Sequence, residues 1–172
     1  CRLVVRSEDG AFPEAEAAVL SPVSYALLPN GSALVYVGPG AGGTQLWMKK
    51  QSELHATQIG GTEGASNAFV SPDGKWIGFI AGERLKKVPV AGGEVTTLAT
   101  AACSSAACAG GGESGTWLDD GRIAFVSRGT LVTVSENGGA LDTIVTSPTL
   151  GGLAPIHPVA LAHRNSGDSI SR

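Results

Sequence analysis

No apolar run in the 172-residue chain approaches the roughly 18 residues that a membrane-spanning helix requires, so none of it reads as a transmembrane segment. Charge is sparse: Asp, Glu, Lys and Arg make up 16% of the residues and the formal net charge is −3. The basic residues gather only at Lys49-Lys50 and at Arg84, Lys86 and Lys87, which is not the footprint of a nucleic-acid binder. Three cysteines, Cys1, Cys103 and Cys108, cannot build a disulfide framework. Cys103 and Cys108, in "CSSAAC", are close enough to bridge across a small loop or to stand as two free thiols, and both readings remain open. No His or second Cys pair lies near them, so no metal site is expected, and Ala109 stands where a haem-attachment motif needs His. The chain opens on Cys1 rather than Met. The expectation is a piece of something longer, with the processed terminus of a lipoprotein as the alternative.

Catalytic patterns are equally scarce. A phosphate-binding Gly-rich loop must lead into a helix whose N-terminus faces the anion. "GPGAGG" (38–43) instead joins two predicted strands, and "AGGGESG" (109–115) links two repeats. No Gly-x-Ser-x-Gly elbow occurs; "GESGT" has the wrong spacing. His55 falls in a polar link, His163 in an irregular tail, and His157, before Pro158, could face a central channel. Carboxylates gather at corners, where Asp73, Asp119 and Asp120 make turns. Of the remainder, Glu63 and Glu113 join His157 as the weak ligand-binding candidates. No catalytic residue, cofactor or metal is assigned. Trp47, Trp76 and Trp117 are expected to fill the core between repeats.

What the chain has in plenty is turn-forming residues, 25 Gly and 9 Pro, without a Gly-X-Y period. They punctuate a repeat. "YALLPNGSALVYVG" (25–38), "NAFVSPDGKWIGFIAG" (67–82) and "GTWLDDGRIAFVSRG" (115–129) share one design: an apolar approach, a corner ending in Gly31, Gly74 or Gly121, then an alternating strand. Pro29 and Pro72 preset φ, and Asp119 substitutes in the third copy. Asn30, Asp73 and Asp120 follow, and the Gly accepts the left-handed conformation the turn demands. After the corner, Trp76, Gly78 and Ile80 alternate with Ile77 and Phe79, and Ile123 and Phe125 alternate with Ala124 and Val126. Both faces are apolar, so each strand belongs to a sheet covered on both sides.

A third strand follows in each copy ("QLWMKK", "RLKKVPV", "TLVTVSE") and a Thr-bearing fourth closes it ("ATQIGG", "EVTTLAT", "LDTIVTS"). Four strands in 40-odd residues with no helix is the blade of a β-propeller. The chain therefore reads as all-β: an N-terminal strand and loop (1–21), blades at 22–64, 65–110 and 111–150, and the start of an incomplete fourth blade with a tail (151–172). Three blades do not close a ring, and the two end faces would be exposed apolar patches. Either a second copy completes a six-bladed ring, three plus three, or the chain is part of a longer propeller. A homo-oligomer formed through the blade faces is the expected partner arrangement, with another protein or a small ligand as further possibilities.

The segment "GTEGASNAFVSPDGKWIGFIAGERLKKVPVAGGEVTTLAT" (61–100), with "GSALVYVG…GGTQLWMKK" (31–50) before it, resembles the TolB-type, WD-repeat-like β-propeller found beyond the membrane segment of many bacterial serine/threonine kinases. The resemblance covers about residues 2–160. The Ser71-Pro72-Asp73-Gly74 corner and "KKVPVAGG" (86–93) carry it in combination. It implies a non-catalytic, extracytoplasmic module for binding or sensing, part of a larger bacterial signalling protein. Kinase activity does not transfer, because no kinase domain lies in these residues. Two other readings stand beside it: a structural half-propeller that self-associates into oligomers or fibres, and the gating propeller of a serine peptidase whose catalytic domain lies elsewhere. Loops 38–43, 60–66 and 101–115 are where a ligand is expected.

Overall fold

A computed structural model describes residues 25–100, 115–127 and 130–145. They contain twelve strands and no helix. Three four-stranded antiparallel sheets follow one another along the chain, each in simple meander order. The first comprises β1 (Tyr25–Leu27), β2 (Ala33–Gly40), β3 (Gly43–Lys50) and β4 (Thr57–Gln58). The second comprises β5 (Ala65–Val70), β6 (Trp76–Ala81), β7 (Arg84–Pro89) and β8 (Thr96–Thr100). The third comprises β9 (Gly115–Trp117), β10 (Arg122–Ser127), β11 (Thr130–Ser135) and β12 (Asp142–Val145). The opening strands β1, β5 and β9 stand side by side in space, which sets the sheets radially about a common axis. This is the arrangement of propeller blades, and the fold is a partial one.

The corners form for the local reasons their residues supply. Gly31, Gly74 and Gly121 have φ of 71°, 69° and 81°, a region that a side chain makes costly. In each, the Gly N–H donates back to the carbonyl of Leu28, Ser71 or Leu118. The Asx side chain then caps the exit: Asn30 Oδ1 accepts from the Ser32 N–H at 3.0 Å, Asp73 Oδ1 from Lys75 at 3.1 Å and Asp120 Oδ1 from Arg122 at 3.0 Å. One difference matters for register. The Leu28 and Ser71 N–H groups donate to the carbonyls of Ala33 and Trp76, but that of Leu118 donates to Arg122, so the corner lacking Pro is one residue shorter. Ala33, Trp76 and Arg122 are therefore equivalent, and only the third sheet is displaced by one position from an alignment on the corner glycines.

With that register, each sheet has a leading face toward the preceding sheet and a trailing face toward the next. On β6, Ile77, Phe79 and Ala81 lead into the seam with the first sheet, while Ile80 trails into the seam with the third. Two separate cores result. The first joins Val35, Val37 and Leu46 to Ile77, Phe79 and Val88. The second joins Phe69, Ile80 and Leu85 to Ile123, Phe125, Val132 and Val134. Burial of each such side chain contributes about 1.5–3 kcal/mol, so the seams rather than the hairpins carry stability.

Candidate functional site

The strand meander carries the β1–β2, β3–β4, β5–β6 and β7–β8 turns to one end of the sheets. Between the first two sheets at this end lie two adjoining cavities of about 630 and 590 Å³. They share Met48, Lys50, Val90 and Ala91 and so form one elongated groove. The inner half is floored by Leu28, Ala33, Met48, Trp76, Pro89 and Val90. The outer half passes between Gly60-Gly61 of the link after β4 and Gly92-Gly93 of the β7–β8 turn.

Each lining group is placed by local chemistry. Met48 sits opposite Val35 on β3 and faces the second sheet. The Val90 N–H donates to the Lys75 carbonyl at 2.9 Å, which ties the β7–β8 turn to the corner and holds Val90 at the groove. Buried Thr62 locks the outer wall: its hydroxyl donates to the Ile59 carbonyl at 2.6 Å and accepts from the Leu46 N–H at 3.1 Å. Two ion pairs stand at the rim, Lys50 with Glu53 at 2.8 Å and Lys75 with Asp73 at 3.3 Å, and Glu94 adds an exposed carboxylate at the outer end. The Asp73 carboxyl is held below the usual carboxylate range, first by the hydroxyl of Ser71 at 2.7 Å and then by the Lys75 N–H. At the third corner Asp120 is lowered likewise, chiefly by the Arg122 guanidinium, whose own value rises in return.

The groove therefore offers an apolar floor with two ion pairs and one further carboxylate, Glu94, at the rim. Such a surface grips apolar side chains of a ligand. Among the described residues no three His, Cys, Asp or Glu side chains are gathered to hold a metal ion. Glu63 lies exposed in the turn before β5 and does not line the groove, although its neighbours Gly60 and Gly61 do. His55 is exposed. His157, Glu113, Cys103 and Cys108 lie outside the described residues, as do residues 101–114 of the third expected ligand loop. Loop 38–43 is the tight β2–β3 turn and takes no part in the groove. Met48, Lys50, Trp76 and residues 89–95 were not expected at a ligand site from the sequence, although "KKVPVAGG" (86–93) carried the family resemblance. Their common feature, a place at or beside corner-end turns, was available only by counting strand directions.

Comparison with solved structures adds the fold. The chain has a TolB-like β-propeller fold. A TolB-type protein of Agrobacterium tumefaciens superposes with a TM-score of 0.57 at 20% identity, over 71% of this chain and 48% of that one. An oligogalacturonate lyase, solved in complex with manganese, gives 0.53 at 18% identity over 71% and 39%. A nidogen–laminin complex contributes a match of 0.55 at 11% identity over 70% and 46%. The chain thus spans less than half the length of each. No family model matches it, and no curated protein matches it in sequence. A TolB, a lyase and a nidogen–laminin complex share this architecture, so the fold does not fix the activity. No helix among the described residues is long and apolar enough to cross a membrane, which says nothing of membrane barrels.

Proposed function

We propose that the chain is a non-catalytic propeller module that binds an extended protein segment, apolar at its centre, in the groove between its first two sheets. The supporting observation is the groove itself: elongated, floored by Leu28, Ala33, Met48 and Val90, and bordered by two ion pairs and the exposed Glu94 carboxylate. The Gly60-Gly61 and Gly92-Gly93 walls let a partner's backbone approach closely. A rigid sheet scaffold presenting turns in this way suits recognition without turnover. In keeping with its TolB-like fold, the module is assigned to the extracytoplasmic part of a larger bacterial signalling protein.

The reading is tested by peptide display against the purified chain. Enriched peptides are expected to carry two or more adjacent large apolar residues, and Val90→Arg, which places a cation in the groove, is expected to weaken them at least about tenfold. Peptides that bind V90R as well as the parent chain would remove the groove from the account. Turnover of any peptide would remove the non-catalytic assignment.

A further inference from the structure

The groove between the first two sheets is not electrically uniform along its length. Among the described residues four charged side chains line it: Lys50, Glu53, Lys75 and Glu94. Lys50 is paired with Glu53, and Lys75 with Asp73. Glu94 is exposed and has no ion pair or hydrogen bond among the described residues. It lines only the outer half. The groove therefore runs from a neutral inner end, beside Leu28, Ala33 and Trp76, to a negative outer end.

Packing fixes the backbone that carries this carboxylate. Val95, the next residue, packs against the core of the first seam. Gly61, on the opposite wall, lies so close that a Cβ on it would come within 2.9 Å of the Val95 side chain. Gly61 also has a φ of 76°, so the site suits glycine on both counts. The walls thus meet at Gly61 and Val95, with Glu94 standing beside the contact. The other polar groups there are neutral. The main-chain N–H and C=O groups of Gly60, Gly61 and Gly93 make no hydrogen bond among the described residues. They can pair with the backbone of an extended segment, but they favour neither sign of charge. Glu94 sets the sign.

On the reading that this groove is the binding site, we propose that Glu94 selects the charge and the placement of the bound segment. The occupant carries Arg or Lys at the outer end and apolar residues over the inner half. An acidic residue at the outer end would meet a like charge. Because the carboxylate is exposed, its pull is modest and screened by salt, and the apolar floor supplies most of the affinity. Charge places the segment and the floor holds it.

The experiment uses the 172-residue chain and short fluorescent peptides read by polarisation. Each peptide has a central Leu-Leu pair with Arg, Gln or Glu near one end, made in both orientations. In at least one orientation the Arg peptide is expected to bind about three- to fivefold more tightly than the Gln peptide, and the Glu peptide more weakly still. Added salt narrows the gap. Glu94→Gln is expected to erase the preference while the Gln peptide still binds, and Glu94→Arg to reverse it. Glu83→Gln, in the β6–β7 turn at the other end of the sheets, removes the same charge and leaves the preference intact. If the Gln peptide binds and is weakened by Val90→Arg, yet Arg, Gln and Glu peptides bind alike, the role of Glu94 is overturned and the groove stands. A preference that survives E94Q, or that E83Q abolishes as well, overturns it too. If no peptide binds, or binding is indifferent to V90R, the groove falls and this selection with it.

Discussion

The two seams between sheets solve the same packing problem with different residues. The first is aliphatic, Val35, Val37 and Leu46 against Ile77 and Val88, with Phe79 its one buried aromatic ring. The second is aromatic and tighter. Phe69 projects from β5 between two glycines: a Cβ on Gly78 would come within 2.1 Å of its ring, and one on Gly115 within 2.6 Å. Phe69 also meets Trp117 edge to face, centroids 6.2 Å apart and planes at 61°. Beside it the Lys87 ammonium stands 4.3 Å from the centroid of the Trp76 ring. Where the corner end is lined by Leu28, Ala33, Met48 and Val90, the sheets stay apart and a groove results. Where a ring is keyed into two glycines, the sheets close on it. The groove and the keyed ring thus fall on different seams.

This contrast can be broken most severely at Phe69. Phe69→Ala is expected to cost about 3–5 kcal/mol in chemical denaturation, because glycines at 78 and 115 leave nothing to fill the space. Gly78→Ala should cost about 1–3 kcal/mol by forcing the ring aside. The double variant should be less unstable than the sum, since the added methyl occupies part of the hole, and strict additivity would refute the keyed arrangement. Lys87→Met sharpens the comparison more gently. It keeps the buried stem and removes only the cation over Trp76, so a loss of about 0.5–2 kcal/mol is expected in chemical denaturation.

The smallest effect separates corners from seams. Asp73 and Asp120 are both exposed and both lowered, so each stabilises the folded chain at pH values above its unfolded value, about 3.9. That contribution fades as pH falls through the lower folded value. Thermal melts of the parent chain should therefore lose stability below about pH 4 more steeply than those of Asp73→Asn. Identical slopes would show that the corner carboxylates act only through turn geometry.

Much of this was legible beforehand because its causes are local. The Asn30-Gly31, Asp73-Gly74 and Asp120-Gly121 corners follow from φ preference and side-chain capping within a few residues. The two-sided character of β6 and β10 follows from a period of two. The fourth strands were foreseen, though β4 shrinks to Thr57–Gln58. Less was legible where distant segments meet. Trp47 was expected in the core between blades; it is half-buried opposite Tyr36, on a face of the first sheet that no other described sheet meets. The corner glycines suggested one register, and the shorter third turn set another. Glu63 stands apart from the groove that Gly60 and Gly61 line.

The sequence by itself determined that this protein repeats an antiparallel four-stranded unit with Gly-ended corners, since turn chemistry and alternation act over a handful of residues. Only the tertiary structure decided which face of each sheet meets which neighbour, that Gly78 and Gly115 share one ring, and that Met48 and Val90 border a common groove. Those relations join residues many tens of positions apart through close packing, and side-chain shape makes its selection only once the sheets are already side by side.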